Sequence, residues 1–176
     1  MIEWKEISKE PIIAGLLAKA TNGTSNPRPE TQILQLIHDY QTAGRVYNAF
    51  PNRDEFLGLV FHDILKGRET SPLLQALFPP GARRTIQAIC ERIVNRKLSF
   101  SEMAAQCPWF QQCVTIYAEF DMDVINPMVI GSESKEQLAE FGGEYLLIDG
   151  GHRAIVVAVK LAEGMEYFPI EFHKFG

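Results

Sequence analysis

Asp149-Gly150-Gly151-His152-Arg153 places a carboxylate, two glycines, an imidazole and a guanidinium in consecutive positions. An apolar run, Tyr145 to Ile148, precedes the segment, and a longer one, Ala154 to Ala162, follows it. That order predicts a strand, a glycine hinge and a buried helix whose N-terminus lies at the hinge. The first N–H groups of a helix have no internal partner and carry partial positive charge, so an anion is favoured beside them. Glycine lets an anion approach the main chain closely. Positive side chains at the same point are unfavourable by roughly 0.3–1 kcal/mol unless something negative is bound.

Each residue type then has a chemical use. The fork of Arg153 matches two oxygens of a phosphate or carboxylate at once. A histidine at position 152 can orient or protonate an oxygen, because imidazole titrates near neutrality. Asp149 can orient either neighbour or hold a cation beside phosphates. The candidate catalytic residues are therefore Asp149, His152 and Arg153, and the candidate phosphate-binding residues are Gly150, Gly151 and Arg153. A structural reading stands beside this one: Asp149 caps the helix, and Arg153 pairs with Asp149 or with a neighbouring glutamate.

Three further groups of residues invite chemistry. Glu119, Asp121 and Asp123 alternate with Phe120, Met122 and Val124, the pattern of a half-buried strand. Three carboxylates on one strand face can hold Mg²⁺ or Mn²⁺ for phosphodiester cleavage, although an exposed acidic face has the same pattern. Arg83, Arg84, Arg92, Arg96 and Lys97 give one helix a basic bias, which suits either solvent or a nucleic-acid backbone. Ser99 to Val114 has the outline of a helix-turn-helix, against which Pro108 and Trp109 stand at the turn. His38 and His62 fall within helical patterns, and His173 reaches the glycine hinge only if the last strand runs beside it.

The elements that must position these residues divide near residue 115. Before it the expected elements are helical: Glu30 to Tyr40, Glu55 to Lys66 behind an Asn52/Glu55 capping box, a helix with Ser71 as cap and Pro72 first, and Ala82 to Asn95. Ser101 is the expected cap of a further short helix. After residue 115 the expectations are strands at Phe120 to Val124, Met128 to Ile130, Tyr145 to Ile148 and Tyr167 to Phe175. A brief helix is expected over Ser132 to Phe141 and a buried one over Ala154 to Ala162. Pro169 argues for an edge or strand-start position in the last strand. The fold class is thus α+β, with a mainly helical part over 1–115 and an α/β part over 116–176.

Composition sets the outer limits. With 176 residues and 46% hydrophobic content, the chain can bury a sizeable core as one domain or two small ones. A formal charge of −5 and a pI near 5.4 argue against coating nucleic acid through bulk charge, but leave room for a local basic groove. No apolar run has transmembrane length, and the start lacks the pattern of a signal peptide. Cys90, Cys107 and Cys113 form no CxxC spacing and are expected to be free thiols in a reducing cytoplasm.

Asn126-Pro127-Met128-Val129-Ile130, then Tyr145 to Ala154, then Phe168-Pro169-Ile170-Glu171-Phe172 resembles the ParB/sulfiredoxin superfamily. The likeness is sharpest at Asp149 to Arg153, which is similar to that family's DGxHR- or GxRR-like signature. The resemblance implies a ParB/sulfiredoxin-like α/β part at the C-terminus that binds ATP or another nucleoside triphosphate through Gly150, Gly151, His152 and Arg153. It implies nucleoside triphosphate hydrolysis, DNA cleavage, or phosphorylation of a small molecule. Sulfiredoxins carry their reactive cysteine immediately before the His-Arg pair; here that residue is Gly151, so sulfur repair lacks its nucleophile. Size and layout are similar to fertility-inhibition members encoded on plasmids. That similarity implies DNA and a DNA-transfer protein as partners, with a non-catalytic blocking protein as the alternative.

Overall fold

The alternation of apolar residues along short β-rich segments creates a sheet buried on both faces. The structure, a computed structural model, describes residues 2–21, 30–61, 71–121, 125, 127–131 and 138–176. Six strands are ordered β1 (Lys5–Ile7), β2 (Val46–Ala49), β6 (Phe172–Phe175), β4 (Met128–Ile130), β5 (Leu146–Asp149) and β3 (Val60–Phe61) across the sheet. The β4–β6 and β3–β5 pairs are parallel, and the others are antiparallel. Successive side chains on a strand point to opposite faces. Accordingly Met128 and Ile130 enter the main core, whereas Val129 between them enters a second cluster behind the sheet.

The main core lies under α3 (Arg53–Leu57), α4 (Pro72–Leu77), α5 (Ile86–Asn95), α6 (Phe100–Gln106), α7 (Gln111–Ala118) and α8 (Gly151–Ala162). The second cluster lies under α1 (Glu10–Thr21) and α2 (Glu30–Thr42), with Leu16, Ile33, Leu36, Ile37 and Tyr40 meeting Val46 and Val129. Among the described residues no helix is long and apolar enough to cross a membrane. All three cysteines are free and buried.

α8 is the element that matters most for the glycine hinge. Its sequence is rich in β-branched residues, which are poor helix formers by up to about 0.7 kcal/mol each. Full burial of Ile155, Val156, Val157, Val159 or Leu161 returns roughly 1.5–3 kcal/mol apiece, so packing decides the outcome. Eight of its twelve residues are buried, chiefly against α5 and α7.

The sheet takes β1, β2 and β3 from before residue 115 and β4, β5 and β6 from after it. Several element boundaries need correction. The helix behind the Asn52/Glu55 capping box closes at Leu57, because Gly58 caps it and Leu59-Val60-Phe61 is buried beside β5. The rest of that expected helix, residues 62–66 with His62, lies outside the described residues. The Ala82 helix begins at Ile86 with Thr85 as its cap, and Ser99, not Ser101, caps α6 in a capping box with Glu102. The last strand starts at Phe172, two strands in from the β1 edge, and Pro169 precedes it without interrupting a ladder. Ser71 with Pro72, and the strand Met128–Ile130, stand as expected.

Candidate functional site

β5 ends in Asp149, Gly150 turns the chain, and α8 starts at Gly151. Gly150 has φ 99° and ψ 16°, in the left-handed region where only glycine is at ease. A Cβ there would lie 2.8 Å from Met128 Cγ and 3.0 Å from Arg153 Nη2, so space as well as backbone conformation demands glycine. The first intrahelical bond runs from Ala154 N–H to Gly150 O at 2.8 Å. The N-cap is Gly150, which has no side chain to offer the first-turn N–H groups of α8.

Arg153 answers the question of a cation at a helix N-terminus by turning inward. Only 4% of it is exposed. Nη2 donates to Asp149 Oδ2 at 2.7 Å, while Nη1 donates to Pro127 O at 2.6 Å and Ile125 O at 2.9 Å. The guanidinium therefore ties the end of β5 to the segment that enters β4. The structural reading of Arg153 and Asp149 as an i,i+4 pair is realised, and the fork cannot hold two oxygens of a ligand without leaving two carbonyls unpaired.

His152 is held differently. Its ring stacks on Trp109, with centroids 4.1 Å apart at 26°. Burial pulls its pKa from 6.5 down to about 4; the nearby Arg153 charge adds to that, while the Trp109 carbonyl and Asp149 oppose it. The ring is neutral at physiological pH, so it adds no positive charge to the helix start. Its backbone carbonyl meets the Cys113 thiol at 3.9 Å.

Of the acidic triplet, the structure describes Glu119 and Asp121. Glu119 is the C-cap of α7, with φ −106° and ψ 40° and its N–H bonded to Thr115 O, rather than a strand residue. Cys113 and Ile116 are the buried residues of α7, and Phe120, just beyond its C-cap, packs edge-on against Phe168. Residues 122–124 of the expected strand lie outside the described residues. Asp121 is exposed beyond the helix, and Asp123 lies outside the described residues. Among the described residues no three His, Cys, Asp or Glu side chains form a group fit to hold a metal ion.

The basic helix is partly consumed in the same way. Arg92 donates to Leu77 O and Arg83 O, closing the end of α4, and Arg84 lies over the Phe141 ring. The α6–α7 pair is joined by a 3-10 turn over Pro108–Phe110, but α7 carries neither lysine nor arginine for a DNA backbone. His38 is exposed on α2, and His173 is separated from β5 by β4.

Trp109, Ile125 and Pro127 complete the hinge and carried no chemical signal in the sequence. A hollow of about 340 Å³ lies at the opposite end of β5, bordered by Asp54, Glu55, Glu144 and Tyr145. Its carboxylates repel phosphate, so it does not compete with the α8 N-terminus for such a ligand.

The fold and hinge define a mixed α+β protein with a half-buried, glycine-led helix start at the end of its sheet. No family model, no curated protein and no solved structure matches the chain.

Proposed function

We propose that the chain is a phosphate-binding protein of ParB/sulfiredoxin type that holds ATP or another nucleoside triphosphate at the start of α8. The observation that carries this reading is the left-handed Gly150, a glycine N-cap that leads directly from β5 into α8. The N–H groups of Gly151 and His152 and the helix dipole favour phosphate oxygens there. Gly150 and Gly151 keep side chains out of the approach, and the Arg153–Asp149 pair fixes the hinge from behind.

The geometry supports binding more than hydrolysis. Arg153 is committed to Asp149 and two carbonyls, and a neutral His152 stacked on Trp109 is a weak proton donor near pH 7. A metal-dependent cleavage of DNA lacks an assembled ligand set among the described residues. This buried ion pair also favours the second reading, an interaction protein in which the nucleotide is a bound ligand and a DNA-transfer protein is the partner.

Trp109 stacks on the first turn of α8, so its fluorescence reports binding directly. Titration with ATP and CTP, each with and without Mg²⁺, is expected to change Trp109 emission saturably, and a Trp4→Phe variant isolates that signal. Absence of a saturable change with either nucleotide or with tripolyphosphate, confirmed by calorimetry, would sink the proposal.

A further inference from the structure

The α1–α2 pair buries little for its length. Of their 12 and 13 residues, Leu16, Ile33, Leu36, Ile37 and Tyr40 are buried among those described, whereas α8 buries eight of twelve. The two points at which the pair joins the sheet lie side by side. β1 leads into α1 through Ser8 and Lys9, and α2 leads into β2 through Ala43 to Arg45. Lys9 Nζ clamps them together, donating to Ala43 O at 2.6 Å and Gln41 O at 3.2 Å.

A chain of hydrogen bonds fastens the pair to the sheet. Tyr40, fully buried, places its hydroxyl 2.5 Å from His173 Nδ1. His173 Nε2 lies 3.0 Å from Glu171 Oε1, and Asn48 Nδ2 donates to the same oxygen at 3.1 Å. An ionised Glu171 only accepts, so Nε2 carries the proton, and Nδ1 of the neutral ring accepts from Tyr40.

We infer that α1 and α2 form a flap that opens as one unit about Ser8–Lys9 and Ala43–Gly44, latched by the Tyr40–His173–Glu171 chain. Units with few buried apolar contacts are the first to open from a native structure. The clamp by Lys9 makes the two helices leave together rather than singly. Opening uncovers Val46, Val129 and His173, which is 2% exposed when the flap is closed. The sheet then presents an imidazole bonded to a carboxylate, flanked by apolar side chains.

Hydrogen exchange read by mass spectrometry on the full chain tests this. In wild type, amides of α1 and α2 are expected to exchange together and faster than those of α5 and α8. Tyr40→Phe removes only the latch hydroxyl and is expected to speed α1 and α2 about three- to tenfold, with α5 and α8 unchanged. Leu36→Ala, which leaves the latch intact, is expected to speed α1 as well as α2. Equal protection of all four helices in wild type overturns the inference. So does a Leu36→Ala effect confined to α2, or a Tyr40→Phe effect spread evenly over the molecule.

Discussion

Arg153 and His152 share a turn of helix and have opposite electrostatic fates. Arg153 keeps its charge because Asp149 and two carbonyls receive it; His152 loses its charge because the protein desolvates it. Arg153→Ala is expected to cost about 3 kcal/mol in urea unfolding, since it removes the guanidinium that Asp149 and the Ile125 and Pro127 carbonyls share. Arg153→Lys should recover only part of that loss, because one ammonium cannot reproduce the fork. His152 gives a pH signature. Its folded pKa lies below its unfolded value, so the unfolded chain takes up a proton first as the pH falls. The associated stability is present above about pH 6.5 and declines between there and about pH 4, by up to about 3 kcal/mol. Thermal melts across that range should show a steeper fall for wild type than for His152→Gln.

Helix boundaries show where local signals suffice and where they fail. Lys97, just beyond the C-cap of α5, is the one non-glycine with positive φ among the described residues, at 54°. Lys97→Gly is expected to stabilise the protein by about 0.5–1 kcal/mol, read as a higher melting temperature, because glycine adopts that conformation without a Cβ clash. Caps with their own hydrogen bonds, such as Asn52/Glu55 and Ser71 before Pro72, were legible in the sequence because the chemistry is confined to four residues. The hinge from Asp149 to Arg153 was legible for the same reason. β1, β2 and β3 were not, because each is two to four residues long and owes its state to a distant partner, as Val60 does to Leu146. Phe120 misled for a related reason. Its alternation with Glu119 and Asp121 is genuine, but it follows the C-cap of α7 and packs against Phe168, a partner distant in the sequence. The direction in which Arg153 turns was equally hidden, since Ile125 and Pro127 contribute only backbone oxygens.

At the scale of the whole molecule, the sheet separates two cores of unequal size. The larger, under α3 to α8, holds Leu77, Phe110 and Ile155 with almost no exposure; the smaller lies under α1 and α2. Leu77→Ala is therefore expected to lower the single cooperative unfolding transition by about 3 kcal/mol. Leu36→Ala should lower it by less, its main effect falling on the exchange of α1 and α2, and comparison of the two by urea denaturation checks that ranking. Glu171 adds a pH term to the same interface. His173 and Asn48 hold its carboxyl below the ordinary range although burial acts the other way. The resulting stability is full above the ordinary carboxylate range and is lost as pH falls through the lowered value.

The order of strands also governs how the protein is made. β6 lies between β2 and β4, yet it is the last of the six to be synthesised. Until Phe172–Phe175 leaves the ribosome, β1–β2 and the β4–β5–β3 group have no common neighbour, and each exposes an edge. Nascent chains halted before Phe172 should accordingly depend on chaperones far more than chains that include β6.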